Sequence, residues 1–180
     1  MTASAIRKLA RLRVPLGFAC GALVLWLAQP TSRSLVTGFA VACVGELLRI
    51  WAAGHLEKSR EVTRSGPYRW LRHPLYVGSS IMSAGLAIAC WSVPVAVLVV
   101  VYMVSTLTAA IRTENAFLRA TFGDQYAAWL DASRRNDPTV TVQRRFSLER
   151  ARRNREYRAL AGLLLAFALL VLKALLSGSL

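Results

Sequence analysis

Two blocks of the chain hold the residue types that can do chemistry. They are Gly66-Pro67-Tyr68-Arg69-Trp70-Leu71-Arg72-His73-Pro74-Leu75-Tyr76-Val77-Gly78 and Glu114-Asn115-Ala116-Phe117-Leu118-Arg119-Ala120-Thr121-Phe122-Gly123-Asp124-Gln125-Tyr126. In the first block Pro74 stands where an apolar stretch begins. A proline there starts a helix, whose free amides and positive dipole end suit a carboxylate or phosphate. His73, beside that end, has a side chain that ordinarily titrates near pH 6.5 and so can donate a hydrogen bond or take a proton. Glu114 in the second block supplies negative charge for a cation or for ligand hydroxyls. A ligand carrying both signs fits between them. A metal is not expected.

The elements that position these blocks are membrane spans. Of the 180 residues, 55% are hydrophobic and 18% charged, and the mean hydropathy is +0.42. A soluble domain of this length carries about 25% charged residues. Five apolar stretches have roughly the length needed to cross about 30 Å of hydrocarbon: Val14 to Gln29, Leu35 to Ala53, Leu75 to Cys90, Val93 to Ile111 and Leu160 to Leu176. The third and fourth are separated by Trp91-Ser92 with Pro94 just beyond, which reads as a tight helical hairpin. Such a hairpin returns the chain to the face it left, so the two blocks meet there. The predicted fold is an all-α integral membrane bundle of about five transmembrane helices, one membrane domain over residues 1–180, with a candidate site at the inner face.

Charge sets the expected orientation. With the N-terminus inside, 20 of the 23 basic residues fall on inner segments: Arg7 to Arg13, Lys58 to Arg72, and Arg112 to Arg158. That is the positive-inside bias. It predicts a multi-pass protein of a bacterial plasma membrane, N-terminus cytoplasmic and C-terminus outside. The net charge of +14 would also suit a nucleic-acid binder, but such a protein has no use for long apolar runs, and no nucleic-acid partner is expected. The basic segment 133–158 lies directly before the last span, residues 160–176, where arginines favour the anionic inner leaflet.

The two blocks resemble those of the membrane methyltransferases that include isoprenylcysteine carboxyl methyltransferases and phospholipid N-methyltransferases. The likeness is carried by Gly66-Pro67-Tyr68-Arg69, Arg72-His73-Pro74-x-Tyr76-x-Gly78, Gly85, Glu114, Leu118, Phe122-Gly123 and Tyr126, over about residues 45–130. It implies transfer of a methyl group from S-adenosylmethionine, leaving S-adenosylhomocysteine, to a lipophilic acceptor entering from the bilayer. By position it implies a cofactor site made by Tyr68, His73, Pro74, Tyr76, Gly78, Gly85, Glu114 and Asn115, with His73, Arg72 and Tyr76 at the reacting centre. Asn115 stands where the family has a second acidic residue, and Trp129 where it often has a second tyrosine. Because the sulfonium already activates the methyl group, the protein need mainly align the partners and exclude water. A carboxylate acceptor needs no general base; an amine needs one, and His73 is the nearby imidazole.

Several residues keep two readings. Arg69 or Arg72 can hold an acceptor carboxylate or phosphate in a bidentate fork, or can simply serve topology. Glu46 and Arg49 lie on one face inside the second span, either as an ion pair or, through Arg49, as a substrate contact. Tyr68, Trp70 and Tyr76 also suit an interfacial belt. Lys173 is placed to snorkel. Cys20, Cys43 and Cys90 read as small packing residues. A nicotinamide-dependent membrane reductase and a non-catalytic lipid-binding protein are the competing classes, and the oligomeric state is not legible.

Overall fold

The structure, a computed structural model, describes residues 17, 19–57, 61–134 and 144–180. The N-terminal basic cluster, Arg7 to Arg13, lies outside the described residues, as do Lys58, Arg60 and Arg135 and the start of the first expected span at Val14. The described chain is helical without strands. We number its helices α1 (residues 19–27), α2 (Ser32–Ala53), α3 (Pro74–Cys90), α4 (Val93–Arg134), α5 (Leu148–Arg153) and α6 (Tyr157–Leu176), with a 3₁₀ turn at Gly66–Arg69.

Local chemistry sets the boundaries. Thr31 and Ser34 form a reciprocal capping box that starts α2, satisfying amides that the first turn leaves without partners. The Ser34 hydroxyl also donates to the Ala89 carbonyl at 3.0 Å, tying the start of α2 to the end of α3. Pro74 is the first residue of α3, and Trp91, left-handed at φ 45°, ends it. Two residues then lead into α4, so the hairpin expected from Trp91-Ser92-Val93-Pro94 is present.

Among the described residues three helices are long and apolar enough to cross a membrane: Ser32–Ala53, Tyr157–Leu176, and α4 over Val93–Asp131. Of the five expected spans, that of α3 falls short of that measure, and the start of the first lies outside the described residues. α3 has 17 residues, about 26 Å at 1.5 Å per residue against roughly 30 Å of hydrocarbon, and α1 is described over residues 19–27 alone. The fourth span was expected to stop at Ile111, yet the helix runs on to Arg134 with a break at Gly123. Glu114 and Asn115 therefore ride on the same helix as the apolar stretch.

α2 and α3 form the tightest seam. A Cβ on Gly85 would lie 2.5 Å from Gly38 O and Ala42 N, and one on Gly45 2.5 Å from Met82 N. Backbones this close leave room for no side chain at Gly38, Gly45, Gly78 or Gly85. α6 covers this pair with Leu163, Phe167, Leu170 and Ala174, which share the apolar core with Ala28, Leu35, Ala42, Ala89, Cys90 and Val95. Phe39 and Phe167 meet edge to face at 5.1 Å. Lys173 donates to the carbonyls of Leu25 and Trp26, so it caps the end of α1, a closer engagement than snorkelling. α4 presents Val97, Val100, Val101 and Val104 outward, as a lipid-facing helix does.

Candidate functional site

The loop and helix ends at the Pro74 end of the bundle assemble the candidate site. Gly66 opens the 3₁₀ turn at φ 58°, a conformation that favours glycine, and a Cβ there would strike the His55 ring. The turn carries Tyr68 inward and leaves Arg69 and Trp70 exposed. His73 then caps α3: its carbonyl accepts from the amides of Tyr76 at 3.0 Å and Val77 at 3.1 Å. Its imidazole faces α4, where Nδ1 lies 3.5 Å from Glu114 Oε2. The Tyr76 ring stands 5.5 Å from the His73 ring. Glu114 keeps 41% of its side chain exposed, so the pair is an open face.

Electrostatics ties more residues to this pair. Burial pushes the Tyr68 phenol well above its ordinary range, and the carboxylates of Glu114 and Glu156, with Tyr76, push the same way. Tyr68 thus stands in the field of both carboxylates and is kept neutral.

Beyond Gly123 the chain turns back on itself. Tyr126 donates to Asn115 Oδ1 at 2.8 Å, though eleven residues of straight helix would set them about 16 Å apart. The break at Gly123, φ 43° and ψ −116°, makes this bond possible. Tyr126 stacks on Trp129 at 5.6 Å, both buried, and Arg64 Nη2 donates to Gln125 O at 3.2 Å. Asn115 therefore clasps the returning segment, a role that its place in the sequence did not disclose.

A second group of charges lies deeper. Arg49 Nη2 is 2.6 Å from Glu156 Oε1, and its Nε is 3.6 Å from Glu46 Oε2. Its Nη1 donates to Ser79 Oγ. Of the two readings of Arg49, the geometry displays the ion pair, enlarged by Glu156.

The segment 144–156 straps this end of the molecule. Asn154 donates to Ala53 O and Leu56 O, both at 2.9 Å, and Arg150 to Gly54 O at 2.5 Å, satisfying carbonyls that the end of α2 leaves open. Arg150 Nε also reaches Glu57 at 2.8 Å, and Arg144 forks onto Glu61 at 2.6 and 3.0 Å. Burial alone would raise Glu57, but the Arg150 hydrogen bond and the charges of Arg153, Arg150 and Arg144 hold it below its ordinary value. His55, buried beside Ser65, is pushed down by burial and by Arg150 and Arg144. Three arginines expected to face lipid are thus engaged with protein; Arg145, Arg152, Arg155 and Arg158 remain exposed.

The structure brings together His73, Pro74, Tyr76 and Glu114, with Tyr68 and Asn115 adjoining. Gly78 and Gly85 lie on the α2–α3 seam, Gly78 against Arg49. Arg69 is stacked 5.5 Å over Trp70, Arg72 is exposed, and Arg49 belongs to the deeper group. Sequence reasoning passed over Glu156 and Ser79. The signal for Glu156 was a lone acid at the head of the last apolar stretch; Ser79 gave none. Among the described residues no group of three or more His, Cys, Asp or Glu is gathered as a metal site.

The family model described as phospholipid methyltransferase matches residues 16–125. The chain is 31% identical over 106 residues to the nickel-cobalt-cadmium resistance protein NccN of Alcaligenes xylosoxydans xylosoxydans, covering 57% of this chain and 48% of that one. It is 34% identical over 87 residues to the cobalt-zinc-cadmium resistance protein CzcN of Cupriavidus metallidurans, covering 47% of this chain and 39% of that one. The chain thus spans half or less of the length of these curated relatives. No solved structure matches it significantly.

Proposed function

The chain belongs to the phospholipid methyltransferase family, and from that premise we propose that it moves the methyl group of S-adenosylmethionine to the carboxylate or amine of a lipid-like acceptor. The observation that carries the reading is the approach of His73 Nδ1 to Glu114 Oε2, 3.5 Å across the α3–α4 hairpin. It joins the two blocks that carry the family likeness at a single open face.

The residues at that face fit the cofactor's groups. Glu114 offers a carboxylate to ribose hydroxyls or to the amino group. His73 and the positive end of α3 suit the cofactor carboxylate, and Tyr68 and Tyr76 offer ring surface to the adenine. When bound, the cofactor supplies an activated methyl on a sulfonium, so the protein's task is alignment and exclusion of water. Tyr68, held neutral, donates a hydrogen bond without adding charge. Tyr126, fixed by Asn115, holds the returning segment beside Glu114. Arg72 and Arg69, exposed at the same end, are placed for an acceptor's phosphate or carboxylate. For an amine acceptor, His73 is the base.

In this reading α1 and α3 complete a five-span bundle, and His73 and Glu114 face the cytoplasm. The arginines left exposed on the strap rest on the anionic leaflet.

Calorimetric titration of the purified protein in nanodiscs with S-adenosylhomocysteine, with NADPH in parallel, tests this. Micromolar binding of S-adenosylhomocysteine alone is the expected result. Binding of NADPH alone, or of neither by folded protein, would overturn it.

A further inference from the structure

The chain beyond Gly123 joins the two walls of the candidate site. On the α4 wall, the Tyr126 hydroxyl donates to Asn115 Oδ1 at 2.8 Å, one residue from Glu114. On the other wall, Arg64 Nη2 donates to Gln125 O at 3.2 Å, and Arg64 stands two residues before the Gly66 turn that leads to His73. Residues 124–134 therefore bridge the loop that ends in His73 and the helix that carries Glu114, a pair 3.5 Å apart. The bridge has an inner and an outer face. Tyr126 and Trp129, three positions apart on one side of the helix, are 2% and 6% exposed and stacked, whereas Asp124, Gln125, Ala127 and Ala128 are exposed.

The bridge starts at an unpacked hinge. Gly123 has φ 43° and ψ −116° inside an otherwise helical run, a conformation that side chains rarely adopt, and a Cβ built there would meet nothing within 4 Å. The break is thus set by backbone freedom at that point, and the angle of the returning segment by the ties it makes beyond it. The Asn115 tie is of a kind that opens. Phenol and amide are both neutral, and a hydrogen bond between neutral groups is roughly half as strong as one with a charged partner. With the tie made, Glu114 still keeps 41% of its side chain exposed, so the segment borders the pair without sealing it. A ligand at the pair lies between the two walls that the segment joins.

We propose that residues 124–134 are a flap hinged at Gly123, and that the Tyr126–Asn115 bond is its latch. Tyr126 and Asn115 are then positioning residues that control how fast the ligand at the His73–Glu114 face leaves. Methyl transfer requires that water be kept from the reacting groups and that the used cofactor then depart. A flap on a weak neutral latch meets both needs in turn. The inference rests on the methyl-transfer reading for the identity of the ligand, and on the hinge and its ties alone for the motion.

The test takes two readouts on the full chain in nanodiscs: hydrogen exchange of peptides covering residues 124–134 without ligand, and the dissociation rate of S-adenosylhomocysteine by displacement. Tyr126→Phe keeps the ring and removes the donor. It should speed exchange in that segment, leave α6 unchanged, and raise the dissociation rate about two- to tenfold, the effect of one neutral hydrogen bond. Arg64→Ala, at the exposed tie, should move both readouts the same way and covers the case in which the Phe variant does not fold. Adding Asn115→Leu to Tyr126→Phe should change exchange no further, since the two residues act through one bond. An unchanged rate of either kind in folded Tyr126→Phe, or additive effects of the two substitutions on exchange, overturns the flap. Faster exchange in Tyr126→Phe, when wild-type protein binds no S-adenosylhomocysteine, overturns the cofactor reading and leaves the hinged segment standing.

Discussion

Replacing Glu114 by Gln, or His73 by Ala, should separate binding from folding. The two side chains approach to 3.5 Å and Glu114 is 41% exposed, which is beyond hydrogen-bond range and in contact with solvent. An exposed pair of this kind contributes about 0.2–1 kcal/mol, so neither substitution should move the unfolding midpoint by more than about 2–4 °C. A direct hydrogen bond from a charged side chain to a bound ligand is worth about 1.5–3 kcal/mol, or about ten- to hundredfold in affinity. Calorimetry with S-adenosylhomocysteine and thermal unfolding in the same detergent read the two quantities side by side. The expected result is a large loss of affinity with a nearly constant midpoint. Affinity within twofold of wild type in both variants, or loss that merely follows unfolding, would refute the argument.

Three further outcomes follow from the packing and the strap. Gly85→Ala places a Cβ 2.5 Å from backbone atoms of Gly38 and Ala42, about 1 Å inside ordinary contact. It should destabilise by about 1–3 kcal/mol, while Gly162→Ala, which meets nothing within 4 Å, is neutral or stabilising; equal midpoints in the two variants would contradict the seam. His55 titrates lower in the folded chain, first through burial and then through Arg150 and Arg144, so its contribution is present above the unfolded value of about 6.5 and is lost as pH falls through the lower folded value. The unfolding midpoint should drop between pH 7 and 5.5 in wild type and change less in His55→Asn, and parallel profiles would exclude His55 as the cause. Asn115→Glu keeps an acceptor for the Tyr126 hydroxyl, now 2.8 Å from Asn115 Oδ1, and adds a carboxylate beside Glu114. Tighter S-adenosylhomocysteine binding is expected; weaker binding would mean the added charge disturbs the clasp.

The meeting of His73 with Glu114 was legible because a short apolar hairpin leaves its two ends little choice of neighbour. The apolar runs that became α2, α4 and α6 were legible because lipid demands a continuous stretch, but where α4 ends was not, since its helix continues past the apolar stretch to Arg134. Partners were not. Arg144, Arg150 and Arg153 carry the same sequence signal as Arg145 and Arg152, yet the former reach Glu61, Glu57 and the carbonyl of Gly54, because the strap's path is set by its three-dimensional closure onto α2. Glu156 was hidden among basic residues. Gly78 and Gly85 were read through the family likeness as cofactor residues, while their spacing, seven apart, equally marks one face of a helix seam, and that is where they lie. Asn115 looked like a lost charge and is a hydrogen-bond acceptor for a residue eleven positions on, a pairing that exists because Gly123 breaks α4.

The central claim is tested most directly by incubating membranes containing the protein with S-adenosylmethionine labelled in its methyl group and counting label in the organic-solvent extract. The account predicts label in a lipid fraction with wild-type protein and background with the His73→Ala, Glu114→Gln double variant at equal expression. Equal label with both proteins, or none with wild type that binds S-adenosylhomocysteine and is supplied with both amine and carboxylate lipids, would contradict it.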